Sequence, residues 1–325
     1  MSETRVYARA PGKVMIAGEY AVLDGCTSLV MAVDRYATAV ASREALDPAQ
    51  GWETPELTET LALAGWDRVP SVRVKPGTLF EGTRKLGLGS SAAMCVAGLA
   101  AATACVEGGS ALDRESLARL SRRGHRAAQG GGSGVDVLAS ALGGVLAVTL
   151  GTDPDEVQTE ALAWPAGVHW RVLWTGEPVS TKHFVARVRA LGSDDPAGYR
   201  EALGAVRSAA EGALGAMRTG DSAGLIEALG EHGRAMKHLG RRAGIAIVTD
   251  AMRTLAERGR ALGVAVKPSG AGGGDIVLAV SESVSALDAL GEQARALGVV
   301  PVAMGLDAHG ARVISADEAA ESLAD

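Results

Sequence analysis

The sequence contains few cysteines and no long apolar run. Three of its 325 residues are cysteines without C-x-x-C spacing, in apolar surroundings; they are Cys26, Cys95 and Cys105. We therefore expect buried free thiols in a reducing compartment, with neither a disulfide framework nor a cysteine-bound metal. No apolar run approaches the roughly 20 residues that span a bilayer, and the N-terminus lacks the apolar core of a signal peptide. These absences predict a cytoplasmic protein without a membrane partner.

Concentrated positive charge is also missing. The formal net charge is −6, and the sequence shows neither a basic patch nor a long Lys/Arg run, which argues against nucleic acid as a partner. Lysine is especially rare, with six residues against a majority of arginines. Four of the six lie in or beside stretches rich in Gly and Ser; they are Lys13, Lys85, Lys182 and Lys267. An acidic protein that binds an anion must use such local donors.

The length of the chain suits two domains of about 150 residues each. The sequence becomes acidic and loop-like around 151–165. This change predicts a domain boundary between residues 155 and 156. Residue patterns predict strands at 5–10, 14–17, 28–33, 36–41, 168–174, 276–280 and 299–304, with a turn at 10–13. They predict helices from the serines at 90–91, over 113–129 with Asp113 as N-cap, and over 196–219, 221–240, 249–262 and 284–297. The segment 42–70 has little periodicity and is expected to be irregular.

One stretch combines glycine, serine and a following apolar run. Residues 85–94 read Lys-Leu-Gly-Leu-Gly-Ser-Ser-Ala-Ala-Met, which predicts a helix that begins at the serines. The first turn of a helix has N–H groups without intrahelical partners and a partial positive charge, so a glycine turn before it can bind phosphate. An ordinary capped helix would have the same pattern, and other parts of the chain must decide.

Three further loops offer charged or backbone groups. Lys13 follows Pro-Gly and is either a rigid functional lysine or a surface lysine on a hairpin. Asp136 follows the glycine-rich segment 130–134, and its carboxylate is either stabilised by a helix dipole or aimed into a cleft. The segment 267–275, Lys-Pro-Ser-Gly-Ala-Gly-Gly-Gly-Asp, cannot form a packed element. It is expected to lie close to a ligand or to another backbone.

Three of these segments together resemble a known family. Residues 10–20 (APGKVMIAGEY), 87–92 (GLGSSA) and 267–275 (KPSGAGGGD) are similar to the three motifs of the galactokinase, homoserine kinase, mevalonate kinase and phosphomevalonate kinase superfamily, the GHMP kinases. The resemblance implies a two-domain α+β fold. Its N-terminal domain, like ribosomal protein S5, would span 1–155 and bind ATP. A ferredoxin-like C-terminal domain would span 156–325, with the active site between the two.

The third motif and the loop 175–182 are most similar to the phosphomevalonate kinase branch of this family. That similarity implies ATP-dependent phosphorylation of (R)-5-phosphomevalonate to the diphosphate, in the mevalonate route to isoprenoids. The nearest alternative is mevalonate kinase or another small-alcohol kinase of the family, and a related decarboxylase is a further one. An alternative of another class is a non-catalytic metabolite or nucleotide sensor. The presence of both Lys13 and Asp136 favours an enzyme, as a monomer or a homodimer.

The resemblance also implies residue roles. Lys13 and Asp136 would be catalytic. The ATP phosphates would be bound by Lys85, Gly87, Leu88, Gly89, Ser90, Ser91 and Ala92. The acceptor would be bound by Glu19, Tyr20, Ser133, Ser180, Lys182, Lys267, Ser269, Gly270, Ala271 and Gly272.

Magnesium is the expected cofactor beside ATP, with Ser91 as its protein ligand. The sequence departs from mevalonate kinases here. They carry a magnesium-binding glutamate eleven positions before the catalytic aspartate, whereas this chain has His125. Neutral imidazole is a poor ligand for hard Mg²⁺, which prefers oxygen. The ion would then depend on a serine and on the phosphates, or be held in another way.

Overall fold

The computed structural model describes residues 5–109, 112–177, 179 and 181–324. The chain divides into two compact units. The first unit comprises Met1–Lys13, Met31–Gly144 and Gly305–Asp325, and the second comprises Val14–Val30 and Val145–Met304. Each unit therefore combines separate segments, whereas the sequence predicted a single cut. The reason is that two long strands near the N-terminus contribute residues to both units.

The strands and helices follow one another in an irregular alternation. The strands are β1 (Val6–Ala17), β2 (Ser28–Ser42), β3 (Ser71–Lys75), β4 (Phe80–Glu81), β5 (Arg84–Lys85), β6 (Val145–Leu150), β7 (Val157–Leu162), β8 (His169–Trp174), β9 (Ala265–Ser269), β10 (Ile276–Ser281), β11 (Val300–Val302) and β12 (Arg312–Ile314). The helices are α1 (Pro55–Ala62), α2 (Ser90–Glu107), α3 (Arg114–Gln129), α4 (Val135–Leu142), α5 (Thr181–Asp194), α6 (Pro196–Thr219), α7 (Ser222–Ala243), α8 (Asp250–Ala261), α9 (Val284–Arg295) and α10 (Ala316–Ala324).

The strands form two main sheets and a short hairpin. The larger sheet has the order β12-β1-β2-β6-β7, with β3 also paired to β2, and β4 pairs with β5. In the first unit, β1 and β12 are antiparallel, with Tyr7 opposite Ile314. The sheet of the second unit has the order β11-β8-β10-β9, and Leu278 of β10 lies opposite Lys267 of β9. Helices α8 and α9 pack on this sheet, where Leu255, Val277 and Leu290 are buried.

Helix α2 is the core helix of the first unit. It begins at the serines as predicted, and almost every position is apolar and buried. A helix that is apolar all round must be buried on all sides. Its length and mean hydropathy also suit a membrane span, but 78% of it is buried inside the structure. This degree of burial is typical of the core helix of a globular domain, and we interpret α2 as one.

The predicted turn at Pro11 and Gly12 is wrong, because β1 runs through both residues without interruption. Gly12 is needed for a close contact instead. A Cβ atom at Gly12 would lie 2.6 Å from Leu79 Cδ2 and 2.9 Å from the Leu88 carbonyl oxygen. The next residue, Lys13, donates its backbone N–H to the same Leu88 carbonyl at 2.8 Å. The glycine–serine loop thus lies directly against β1.

Two elements were missed in segments expected to be irregular. Helix α1 is short and half of its residues are polar, with Thr54 as its N-cap and Pro55 in its first turn. Strand β7 lies at a sheet edge with both faces largely exposed, so its sequence lacks the alternation that marks a half-buried strand. The predicted helices in the second half of the chain are confirmed as α6 to α9, with small shifts at their ends.

Candidate active site

The N-terminus of α2 is built to leave backbone N–H groups available. Gly87 and Gly89 have φ values of 79° and 78°, in the left-handed region that favours glycine. Gly89 is the N-cap residue, and no side chain in the described part of the chain caps this end. Helix α3 differs, because the Asp113 carboxylate accepts the N–H groups of Glu115 and Ser116. The start of α2 therefore offers the geometry of an anion site.

Lys13 and Asp136 both lie against this loop. A Cβ atom at Gly89 would lie 3.1 Å from Lys13 Cγ, 3.3 Å from Lys13 Cε and 3.5 Å from Asp136 Cβ. Lys13 is largely buried and Asp136 is half-buried. The first unit thus brings the predicted catalytic pair together with the predicted phosphate loop, and Gly89 is the residue at which the three meet.

A buried arginine supports the loop that leads to Asp136. Arg122 of α3 donates its Nε–H to the Ser133 carbonyl oxygen at 3.1 Å. Gly134 has no room for a side chain, since a Cβ atom there would lie 2.7 Å from Arg122 Cγ. Sequence reasoning missed Arg122. The available signal was its place one turn after Ala118 on the apolar stripe of α3, where an arginine must find a partner.

Ser91 is held by a polar cluster. Its Oγ atom lies 3.2 Å from His125 Nε2. Gln129 Nε2 lies 3.3 Å from the same histidine nitrogen and donates to Glu56 Oε1 at 3.2 Å. His125 is buried and is a hydrogen-bonding partner of Ser91.

These side chains fit magnesium only in part. Among the described residues, no group of three or more His, Cys, Asp or Glu side chains is placed to hold a metal ion. Mg²⁺ commonly keeps several waters and takes one or two protein oxygens together with substrate phosphates. Ser91 Oγ, at the start of α2, and the Asp136 carboxylate, beside Gly89, are two oxygen donors at this site. The site therefore fits an ion that arrives with the nucleotide and takes most of its ligands from phosphate and water.

The remaining residues predicted to bind ATP differ in exposure. Leu88, Ser90 and Ala92 are buried. Lys85 is exposed on β5. Its long, flexible side chain can reach an anion by rotation.

Several predicted acceptor-binding side chains form a buried cluster in the second unit. Lys267 Nζ lies 2.5 Å from Glu19 Oε1, and the Gly270 N–H donates to the same oxygen at 3.2 Å. Ser269 Oγ accepts the Met15 N–H at 2.8 Å. Lys267 is 1% exposed and Glu19 is 4% exposed. The structure thus places Lys267 and Ser269 in the interior, bonded to protein groups.

A histidine completes this cluster. His232 of α7 accepts the Gly18 N–H on Nε2 at 2.9 Å, and the same nitrogen lies 3.3 Å from Glu19 Oε2. Burial lowers the pKa of His232 to about 4; the Lys267 charge acts in the same direction and Glu19 opposes it. For Glu19, burial raises the pKa, but the charge and hydrogen bond of Lys267, together with contributions from His232 and the backbone, outweigh it, so the net pKa is lowered. The ion pair therefore stays charged and the imidazole stays neutral at neutral pH.

Tyr20 and the glycine-rich loop lie beside this cluster. Tyr20 has a positive φ of 63°, which is rare for a residue with a side chain. Its hydroxyl donates to the Ala271 carbonyl oxygen at 2.5 Å. Gly272 packs against the Ile247 carbonyl, where a Cβ atom would clash. Of the two interpretations of these glycines, close approach to another backbone is the one that the structure shows for Gly272.

The other predicted acceptor residues are scattered. Lys182 is exposed in the first turn of α5. Ser180 lies outside the described residues. Ser133 is half-buried, and its Oγ accepts the Val135 N–H at 3.4 Å.

Comparisons with known proteins identify the family. Residues 74–144 match the model of the GHMP kinases N terminal domain, and residues 213–300 match that of the GHMP kinases C terminal domain. A mevalonate kinase of Aeropyrum pernix is 30% identical over 259 positions, which cover 69% of this chain and 76% of that protein. The chain belongs to the GHMP kinase family. The family resemblance and the two-domain α+β fold predicted from the motifs are confirmed.

One further relative of this GHMP kinase and one solved structure with the same fold extend the comparison. A phosphomevalonate kinase of Streptomyces sp. (strain CL190) is 28% identical over 347 positions, covering 87% of this chain and 91% of that protein. The structure of Streptococcus pneumoniae phosphomevalonate kinase in complex with phosphomevalonate and AMPPNP superposes with a TM-score of 0.75 at 21% identity, covering 92% and 99% of the two chains. The family makes this chain an ATP-dependent phosphotransferase. The boundary at residue 155 and the individual site residues stay predictions.

Proposed function

We propose that this GHMP kinase transfers the γ-phosphoryl group of ATP to (R)-5-phosphomevalonate. The observation that carries the proposal is the meeting of Lys13, Asp136 and the start of α2 at Gly89. It supplies an anion site, a cation and a carboxylate in one place. The choice of acceptor is supported by the Streptomyces relative, a phosphomevalonate kinase that aligns with most of this chain.

Phosphoryl transfer requires little covalent chemistry from a protein. It depends on positioning and on stabilisation of the charge on the moving group. In this proposal the N–H groups at the start of α2 bind the ATP phosphates, and Lys13 stabilises the transferring group. Magnesium supplies charge neutralisation when it is bound with ATP, and Ser91 Oγ is its proposed protein ligand.

Asp136 is the proposed partner of the acceptor oxygen. Its position in the first turn of α4 and its contact with the Gly89 loop place a carboxylate beside the phosphate site. A phosphate ester is already ionised at neutral pH, so this acceptor needs no strong base. Asp136 would therefore orient the attacking oxygen and accept whatever proton the acceptor still carries.

The acceptor's own phosphate needs separate donors. Lys182 is proposed as the main one, because its ammonium is exposed and lies in the first turn of a helix. Ser180, Tyr20, Ser133 and the backbone of Gly270 remain proposed contacts. Lys267 and Ser269 are proposed to support the loop, since their side chains are buried in bonds to protein groups.

A coupled ADP assay with phosphomevalonate and mevalonate as acceptors tests the proposal. We expect ADP release with phosphomevalonate at least about a hundredfold faster than with mevalonate at equal concentration, since only the former engages the phosphate donors. Faster release with mevalonate would favour mevalonate kinase, the second candidate, which the Aeropyrum relative supports. ATP binding without ADP release for either acceptor would favour a sensor.

Lys182→Ala refines the acceptor assignment. The substitution is expected to raise KM for phosphomevalonate roughly tenfold or more and to leave KM for ATP within about twofold. Arg189→Ala on the same helix is a matched loss of an exposed cation. Equal increases in both KM values would remove Lys182 from the acceptor site.

A further inference from the structure

The buried cluster around Glu19 contains a residue that neither the motifs nor the family comparison assigns. His232 lies in the middle of α7 and is fully buried. It is 214 residues away in sequence from Gly18, the residue whose N–H it accepts. A buried polar side chain so placed needs a partner to offset the loss of water. Here the partner is the backbone of the turn that follows β1.

The direction of this hydrogen bond fixes the state of the ring. Because the Gly18 N–H donates to Nε2, that nitrogen carries a lone pair, and the proton of the neutral imidazole is on Nδ1. The lowered pKa of His232 agrees with a neutral ring. The ring thus acts as an acceptor for Gly18, and Glu19 takes its positive partner from Lys267.

Two adjacent residues connect the turn to the loop of the third motif. The Glu19 carboxylate accepts the Gly270 N–H, and the Tyr20 hydroxyl donates to the Ala271 carbonyl. Tyr20 makes this bond from a strained backbone conformation, which persists only where the surroundings hold it. The bond to Gly18 is therefore placed where it can fix the conformation of the next two residues.

We propose that His232 is a positioning residue, which holds the Gly18–Tyr20 turn so that Glu19 and Tyr20 bond the loop of Gly270 and Ala271. The inference rests on the proposed function, because this loop and Tyr20 are assigned to the acceptor. It adds to that proposal a structural role for the buried charges of Glu19 and Lys267, which is to support the loop of Gly270 and Ala271. Among the described residues, Glu19 Oε2 and His232 Nδ1 make no hydrogen bond, so the cluster depends on the remaining bonds.

A pair of amide substitutions separates this role from general packing. In His232→Gln the side-chain oxygen reaches the position of Nε2 and keeps an acceptor for the Gly18 N–H. In His232→Asn the oxygen matches Nδ1 and leaves that N–H without a partner. Both variants are polar and neutral, so they differ mainly in reach. His238→Asn, on the same helix but partly exposed, is the matched control.

Amide hydrogen exchange and steady-state kinetics are measured on the full chain. We expect His232→Asn to speed exchange at the 18–20 and 270–271 amides about tenfold and to raise KM for phosphomevalonate by a similar factor, with KM for ATP unchanged. His232→Gln and His238→Asn should resemble the wild type. The inference would be overturned if amide exchange in His232→Asn matched that of the wild type. It would also be overturned if His232→Asn and His232→Gln lost amide protection to the same extent. Exchange needs no acceptor, so it decides the role of His232 even if phosphomevalonate proves not to be the substrate.

Discussion

The molecule contains two lysine–carboxylate arrangements with opposite surroundings. In the first unit, Lys13 and Asp136 lie against a glycine loop whose helix end is capped by no side chain among the described residues, and Asp136 is half-buried. In the second unit, Lys267 and Glu19 are buried and bonded to each other and to backbone groups. This difference shows that the position of a lysine within a sequence motif does not by itself indicate its role. Whether a ligand can reach the site decides whether the lysine charge binds that ligand or stabilises the fold.

The strongest test of the arrangement in the first unit is Asp136→Asn. Removing the carboxylate charge is expected to lower kcat roughly 10⁴-fold, because the acceptor oxygen loses its orienting partner. ATP binding, measured by calorimetry, should change less than about twofold. A variant with wild-type turnover would exclude Asp136 from the transfer step.

The buried arrangement is tested by Lys267→Met. Loss of one partner leaves the Glu19 carboxylate buried without its cation, and the free energy of unfolding should fall by about 4 kcal/mol in urea denaturation. The double variant Glu19→Gln with Lys267→Met should recover a large part of this loss. Arg253→Met removes an ion-pair partner of Asp250 and Glu257 at the surface, where the expected cost is about 0.5 kcal/mol. Similar losses for Lys267→Met and Arg253→Met would contradict the distinction between buried and exposed pairs.

The pH dependence of stability sharpens the comparison at His232. The pKa of this histidine is about 4 in the folded chain, against an ordinary value of 6.5. Between these values the unfolded state binds a proton that the native state does not, so stability falls as pH decreases from 6.5 to 4. The loss from this group is about 3 kcal/mol.

His232→Gln provides the comparison for this pH effect, because Glu19 and Lys267 remain in place. Urea denaturation at intervals across the window should give a flatter profile for the variant. Between pH 6.5 and pH 4, the free energy of unfolding of the variant should fall less than that of the wild type, by about the amount assigned to His232. Parallel profiles for the two proteins would show that His232 does not become protonated on unfolding in this window.

The smallest expected effect comes from Gly89→Ala. A Cβ atom at this position would press on the Lys13 side chain, and kcat/KM should fall about a hundredfold through misplacement of Lys13. Gly108→Ala, at the other end of α2, has a similar positive φ and open space around it. It carries the same backbone strain of about 1 kcal/mol but should keep full activity. Equal loss of activity in both variants would assign the effect to strain alone.

Much of the architecture could be predicted from the sequence. The core helix after the serines and the capped helix α3 follow from local patterns that the structure confirms. Strand β7 could not be predicted, because its exposed faces carry no alternating pattern. The turn predicted at Gly12 failed because the sequence could not show that Leu88 approaches this glycine from a distant segment.

The candidate site likewise contains residues that could be predicted from the sequence and residues that could not. The motif residues Lys13, Gly89 and Asp136 could be selected from the sequence, and the structure brings them together. The partners of Arg122 and His232 could not be predicted, since each side chain bonds a backbone group that lies outside its own helix. Burial also could not be predicted for Lys267, whose position in a glycine-rich motif suggested access to a ligand.

Phosphorus NMR of one reaction mixture tests the central claim most directly, since it identifies the donor and the acceptor together. The full chain is incubated with ATP, Mg²⁺ and phosphomevalonate, and the control contains Asp136→Asn. We predict that the monophosphate signal is replaced by the coupled pair of a diphosphate ester, in step with ADP, and that the variant shows neither change on the same time scale. ADP release without the diphosphate, or transfer to mevalonate alone, would contradict the account.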